Sequence, residues 1–251
     1  MLKALFFDMD ETLCDTHYAN KMAKQSFAEA LIGLLGEGFD AAFVAEEYVR
    51  SIYREWQGDE QDRYMPIIQR DGERAFRITL IADLAETFAG QPLDAASAEM
   101  LLEKFDSDRL AHFTFYPGIE AFLRDARQYF TTVVITNGPE HSQLPKLAAV
   151  DMASLVDHII VGGQEPEQKP ALSIFEKALA LAGCEAHEAL HVGDSLAADI
   201  HGANNARITS VWIQHQQPLD AELGINPSHT LFHPAEIPQL IGRLSGQPLA
   251  N

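Results

Sequence analysis

The chain has 251 residues, 47% of them hydrophobic, which suffices for one large domain or for one domain with a sizeable insertion. Its formal net charge of −19 argues against nucleic-acid binding, which needs clustered basic residues to neutralise phosphates. No apolar run approaches the roughly 18–20 residues that span a bilayer, and no signal peptide is expected at Met1. The two cysteines fit a reducing compartment. We therefore predict a cytoplasmic protein with no membrane partner.

The first predicted element is a strand at Lys3–Asp8, and four similar runs follow in the second half of the chain. They lie at Thr131–Thr136, His158–Val161, Ala189–Asp194 and Thr209–Ile213. Most are rich in Val, Ile or Phe without polar alternation, which is typical of parallel strands covered on both faces.

The chain between the first two strands has a helical pattern almost throughout. Helices are predicted from Thr16 to about Leu35 and at Ala41–Trp56, Arg70–Phe88 and Ala95–Asp108. We therefore predict a helical insertion, residues 17–110, in a core made of residues 1–16 and 111–251.

Further helices are predicted to alternate with the later strands. They lie at Gly118–Gln128, Gln143–Ala153, Ala171–Ala182, Ala197–Ala206 and Ile237–Leu244. Alternating strands and helices indicate an α/β fold with a doubly wound parallel sheet, in which ligands bind beyond the carboxyl ends of the strands.

Two acids, Asp8 and Asp10, follow the first strand. Side chains alternate along an extended chain, so both carboxylates can point the same way. One can then act as a nucleophile and the other, when protonated, as an acid. The alternative is a pair of solvated loop acids or a helix cap.

Polar residues also follow the other strands. Thr136-Asn137-Gly138 offers a hydroxyl and backbone N–H groups for phosphate oxygens, although Asn-Gly is also a common turn. Lys169 is either a solvated lysine or the cation that a strongly acidic protein needs to bind a phosphate. Asp194 and Asp199 add carboxylates at a further strand end, which suits a hard cation such as Mg²⁺.

Together these motifs resemble those of the haloacid dehalogenase (HAD) superfamily. DMDET at 8–12, TNG at 136–138, KP at 169–170 and GDSLAAD at 193–199 stand in the family's order and span essentially the whole chain. The resemblance implies a Rossmann-like core and makes the helical insertion a class I cap domain.

The resemblance also implies a role for each motif residue. Asp8 would be the nucleophile that forms an aspartyl-phosphate, and Asp10 the acid and base. Thr136, Asn137 and Lys169 would bind the phosphate. Mg²⁺ would be held by Asp8, the backbone carbonyl of Asp10 and Asp194, with Asp199 in support.

Asp10 favours one activity within the superfamily, because dehalogenases and phosphonoacetaldehyde hydrolases lack an acid at that position. We predict a Mg²⁺-dependent phosphatase acting on a small phosphate ester. A phosphomutase and a phospho-aspartate signalling module remain alternatives. The second half, including TNGPEHSQLPKL, resembles the branch of N-acylneuraminate-9-phosphatases and pyrimidine 5'-nucleotidases. Sugar phosphates, sialic acid phosphate and nucleoside monophosphates are thus candidate substrates, and the oligomeric state is left open.

Further predictions concern four residues that follow Asp8 in the chain. His17, Tyr18 and Lys21 begin the inserted segment and are candidates for substrate specificity. Many family members have glycine in place of Glu11, which raises a question about the turn there and assigns Glu11 no chemistry.

Overall fold

The computed structural model describes residues 1–215 and 224–249. The chain forms two compact units. The α/β unit comprises residues 1–16 and 113–251, and the helical unit comprises residues 17–112. Among the described residues, no helix is long and apolar enough to cross a membrane.

A six-stranded sheet forms the centre of the α/β unit. Its strands are β1 (Ala4–Phe7), β2 (Thr131–Thr136), β3 (His158–Val161), β4 (Ala189–Gly193), β5 (Thr209–Ile213) and β6 (His229–Leu231). They pair in parallel in the order β3-β2-β1-β4-β5-β6. All four residues of β1 are buried, as expected for the central strand of a covered sheet. The predicted fold class is confirmed.

The sequence did not reveal strand β6, which lies at the edge of the sheet. It has three residues, and only Leu231 of them is buried. Its side chains have no apolar pattern that would predict a strand. The strand forms through its backbone pairing with β5.

Helices flank the sheet. They are α5 (Ile119–Ala126), α6 (Glu140–Ala149), α7 (Met152–Leu155), α8 (Leu172–Ala182), α9 (His201–Asn205) and α10 (Ile237–Ser245). The helix predicted at Gln143–Ala153 was wrong at both ends. It begins at Glu140, and Asp151 interrupts it because its φ of 49° is left-handed.

The helical unit contains α1 (Thr16–Leu35), α2 (Ala41–Ile52), α3 (Glu60–Leu84) and α4 (Ala95–Ala111). The helix predicted to begin at Arg70 begins ten residues earlier, at Glu60. Its two parts meet at Gly72, whose φ of 86° and ψ of 177° are not helical. The pattern predicted the helix only from Arg70 onwards, two residues before this break.

Aromatic side chains make the centre of the helical unit. The Phe27 and Tyr48 rings are stacked with centroids 4.9 Å apart, and Phe105 meets Tyr48 edge-on at 5.0 Å. Arg77 donates to the buried Tyr48 hydroxyl at 2.6 Å and 2.9 Å and pairs through two nitrogens with Asp106. This unit therefore has a core of its own, with a half-buried cation held by a hydroxyl and a carboxylate.

Candidate active site

Three neighbouring strands bring the predicted motifs to one edge of the sheet. Asp8 follows β1, Thr136 ends β2, and Asp194 follows β4. The backbone N–H of Asp8 donates to the Val192 carbonyl at 2.9 Å, which extends the ladder one residue beyond β1. Since β1 lies between β2 and β4, parallel pairing alone places these residues at the same edge.

Lys169 is buried between two carboxylates. Its ammonium lies 2.6 Å from Asp8 Oδ1 and 2.7 Å from Asp199 Oδ1, and 1% of its side chain is exposed. Burial acts to lower the pKa of Lys169, but the two carboxylates outweigh it and hold that pKa above its ordinary value. The lysine therefore stays charged beside Asp8.

Asp199 is held on both carboxylate oxygens. Oδ1 accepts from Lys169 and from His191 Nε2 at 2.9 Å, while Oδ2 accepts from the Ser195 backbone N–H at 3.1 Å. Burial acts to raise the pKa of Asp199, but Lys169 and His191 outweigh it and bring that pKa to about 2. His191 is fully buried, and burial lowers its pKa, so the neutral ring donates from Nε2. Asp199 is thus a fixed anion that orients Lys169.

Asp8, Asp194 and Asp199 form a group of acids that fits a metal ion. One oxygen from each lies within 4.8 Å of the others. Burial raises the pKa of Asp8 to about 7 and that of Asp194 to about 9, and the neighbouring carboxylates add to both shifts. A divalent cation would relieve this repulsion, and carboxylate oxygens are the ligands that Mg²⁺ prefers.

The Asp10 carboxylate is bound by a different set of side chains. The Thr16 hydroxyl donates to its Oδ1 at 2.5 Å, Lys146 Nζ contacts both oxygens at 2.9 Å and 3.0 Å, and Gln143 Nε2 donates to Oδ2 at 2.9 Å. Burial acts to raise the pKa of Asp10, but Lys146 and the hydrogen bonds outweigh it and hold that pKa below its usual range. The structure thus separates the two acids of the first motif: Asp8 faces Lys169, and Asp10 faces Lys146.

Sequence reasoning did not identify Gln143 or Lys146. Both lie in TNGPEHSQLPKL, seven and ten residues after Thr136, and both are buried on α6. Two polar residues three apart on the buried face of a predicted helix were a usable signal, because such positions are normally apolar.

The TNG segment is tied to the Lys169 segment. The Asn137 side chain donates to the Lys169 carbonyl at 2.9 Å and accepts from its N–H at 3.0 Å. The Gly138 N–H, expected to face a phosphate, donates instead to Gln168 Oε1 at 2.8 Å. In this structure Asn137 therefore fixes Lys169, and its contact with a substrate stays a prediction.

Glu11 occupies a turn that explains why glycine is common there. Its φ is 55°, in the left-handed region that side chains disfavour. The Tyr116 hydroxyl donates to its carboxylate at 2.8 Å, and His215 Nε2 lies 2.6 Å from its carbonyl oxygen. These contacts hold a non-glycine residue in the turn between Asp8 and the start of α1.

The candidate specificity residues lie in the helical unit. His17, Tyr18 and Lys21 occupy the first two turns of α1, and Tyr18 is 43% exposed with its ring 6.2 Å from that of His112. Their role in specificity stays a prediction.

Comparison with known proteins identifies the family. The haloacid dehalogenase-like hydrolase family model matches residues 2–207. N-acylneuraminate-9-phosphatase of Rattus norvegicus is 27% identical over 241 residues, which cover 96% of this chain and 94% of the relative. Glyceraldehyde 3-phosphate phosphatase of Pyrococcus abyssi is 26% identical, covering 86% of this chain and 82% of the relative. A magnesium-bound HAD hydrolase structure from Bacillus subtilis aligns with a TM-score of 0.67 at 20% identity, over 96% of this chain and 98% of that one.

The chain therefore belongs to the haloacid dehalogenase-like hydrolase family. The predicted enzyme class, phosphoric monoester hydrolase, is confirmed by this family match together with the phosphatases among the relatives.

Proposed function

We propose that this protein is a Mg²⁺-dependent phosphatase that hydrolyses a small phosphorylated metabolite through an aspartyl-phosphate. One observation carries the proposal: Asp8 lies against a buried lysine and two further acids, while Asp10, two residues later, is held apart by its own donors. Such a division suits one carboxylate that attacks phosphorus and another that moves protons.

In the first step, an Asp8 oxygen attacks phosphorus, and the bond from phosphorus to the ester oxygen breaks. Lys169 neutralises charge on Asp8 and the phosphate, and the Thr136 hydroxyl binds a phosphate oxygen. The pKa of Asp10 lies below its usual range, so its carboxyl is ionised at neutral pH. The proton that Asp10 passes to the leaving oxygen therefore comes from the singly protonated ester.

In the second step, Asp10 takes a proton from a water molecule, whose oxygen attacks phosphorus. The bond from phosphorus to Asp8 breaks, which returns Asp8 as a carboxylate. Asp10 passes its proton to the departing orthophosphate and is ionised again. The ionised resting state of Asp10 suits this role as a base.

Asp8, Asp194 and the Asp10 backbone carbonyl would hold Mg²⁺, with Asp199 in support. The ion supplies positive charge that lets an anionic carboxylate approach an anionic phosphate. The carboxylate crowding behind the raised pKa values of Asp8 and Asp194 supports this assignment. Without a cation, an Asp8 carboxyl with a pKa of about 7 is only partly ionised at neutral pH.

The substrate proposal rests on the relatives, which act on acylneuraminate 9-phosphate and glyceraldehyde 3-phosphate by their names. We infer a small phosphate ester of this kind, with sugar phosphates, sialic acid phosphate and nucleoside monophosphates to be tested. The helical unit, whose bounds of 17–112 are close to the predicted 17–110, would act as a cap domain. His17, Tyr18 and Lys21 would set its substrate specificity. The cytoplasmic location also stays a prediction.

The test is a screen of phosphorylated metabolites for orthophosphate release, with and without EDTA. We expect release by the wild-type protein, loss with EDTA and recovery with Mg²⁺. The Asp8→Asn variant should be inactive with its fold intact. Activity undiminished in that variant or in EDTA would contradict the mechanism, and conversion of a substrate to its isomer without orthophosphate release would favour the phosphomutase.

A further inference from the structure

Helix α6 buries two polar side chains one turn apart. Gln143 is 3% exposed and Lys146 is 5% exposed. Lysine is almost never buried this deeply without a partner, because removing its charge from water is costly. The position of both side chains therefore depends on what they contact.

Lys146 is buried against Asp10, which is itself half-buried. Its ammonium contacts both carboxylate oxygens, at 2.9 Å and 3.0 Å, and lies 5.7 Å from the centroid of the Phe113 ring. Asp10 is the only acid that pairs with Lys146 within the described residues 1–215 and 224–249. The two-oxygen contact fixes the plane of the Asp10 carboxylate as well as its distance.

Gln143 connects the same carboxylate to the TNG segment. Its Nε2 lies 2.9 Å from Asp10 Oδ2, 2.5 Å from the Thr136 hydroxyl and 2.6 Å from the Asn137 carbonyl oxygen. One amide thus holds the Asp10 carboxylate in a set place relative to the Thr136 hydroxyl.

We propose that Gln143 and Lys146 are positioning residues that aim the Asp10 carboxyl at the leaving oxygen of the substrate. The inference rests on the proposed function and adds to it two residues outside the four motifs. Proton transfer requires a donor and acceptor within about 2.6–3.2 Å, so a carboxyl free to rotate would lose much of its effect. Neither residue needs to touch the substrate.

A purely structural role makes a different prediction. If the contacts only anchored α6, their loss would lower activity equally for every substrate. If they aim a proton donor, their loss affects only substrates whose leaving group needs a proton.

The experiment compares two leaving groups. p-Nitrophenyl phosphate releases a stable anion near neutral pH and needs no acid, whereas an alkyl phosphate needs one. The measured quantity is kcat/KM, which reports the steps up to formation of the aspartyl-phosphate. Each value is taken from the plateau of the pH profile, so that a shift in the pKa of a titrating group does not change the comparison. The ratio of the two values on one preparation is independent of the folded fraction.

We expect Lys146→Met and Gln143→Leu to lower the alkyl value at least about tenfold more than the p-nitrophenyl value. Lys146→Arg, which keeps the charge and two donors, should restore most of the ratio. The matched control is Lys177→Met on α8, which removes an ion pair with Glu165. The side chain of Lys177 is 46% exposed. The ratio for this variant should equal that of the wild type.

A double variant tests whether Lys146 acts through Asp10. Asp10→Asn should itself lower the alkyl value selectively, and adding Lys146→Met should then change the ratio no further. Equal losses for both substrates, no loss, or an additive double variant would overturn the positioning role. The proposed function fails separately, if the wild type releases no orthophosphate or if Asp10→Asn shows no selectivity.

Discussion

Metal affinity should depend steeply on pH, because protons compete for the same oxygens. Burial and neighbouring carboxylates raise the pKa of Asp194 to about 9 and that of Asp8 to about 7. Both acids are proposed Mg²⁺ ligands, and each must lose its proton to bind. Removing Mg²⁺ and restoring it at several pH values therefore measures this competition.

The size of the effect follows from the two pKa values. A carboxyl with a pKa of about 9 is ionised in about one molecule in a hundred at pH 7 and in about half at pH 9. One with a pKa of about 7 goes from about half ionised to almost fully ionised over that range. Multiplying the two changes in ionised fraction gives an apparent Kd for Mg²⁺ that is about 100-fold lower at pH 9 than at pH 7.

The protein contains a reporter for the assay. The indole N–H of Trp212 donates to the Asp194 backbone carbonyl at 2.8 Å, and the chain has only one other tryptophan, Trp56. Fluorescence titration of a Trp56→Phe variant with Mg²⁺ at pH 7, 8 and 9 gives the Kd values. Calorimetry in buffers of different ionisation enthalpy counts the protons released.

A Kd that stays constant between pH 7 and pH 9 would refute this reasoning. The control is Asp194→Asn, which should bind Mg²⁺ more weakly and retain only about the twofold dependence assigned to Asp8.

Three further predictions concern stability. Asp8→Asn, although inactive, should unfold at a temperature no lower than that of the wild type in metal-free buffer at pH 8. Burial raises the pKa of Asp8, so the free energy of unfolding of the wild type falls as the pH rises towards about 7. A neutral amide at this position avoids that loss. Thermal unfolding measures it, and a clearly lower midpoint would contradict it. Gly193→Ala should cost about 2–4 kcal/mol in denaturant unfolding, because its Cβ would lie 2.2 Å from Cγ of a buried aspartate. Gly33→Ala, with nothing within 4 Å in helix α1, should instead gain about 0.5–1 kcal/mol. Arg77→Met should cost about 2–3 kcal/mol, because it leaves a buried tyrosine hydroxyl and an aspartate without their cation. Arg70→Met removes an exposed pair and should leave the unfolding midpoint unchanged, and equal effects of the two arginine variants would refute the assignment.

Strand identity and the order of the polar motifs could be predicted because they depend on local pattern. A run such as Ala4–Phe7 is apolar throughout, which is typical of a strand covered on both faces. The acids that end these runs then meet at one sheet edge, since parallel strands share a direction. Asp8 and Asp194 were singled out on this basis, and Lys169 because a strongly acidic protein needs a cation to bind a phosphate.

Local pattern was insufficient where a neighbour in space supplies the order. Strand β6 is held by its pairing with β5, and the first part of α3 precedes the break at Gly72. At Glu11, the Tyr116 and His215 contacts hold a residue in a turn where glycine is expected.

By itself the sequence determined a parallel α/β sheet, a long helical insertion and an acid-rich edge with one lysine, because hydrophobic periodicity and strand direction are local properties. Only the tertiary structure decided how the charges pair. Lys146 and Asp10 are 136 residues apart in sequence, and their contact depends on α6 lying beside the turn after β1. A lysine that a sequence would leave in solvent is thus buried against the second acid of the first motif.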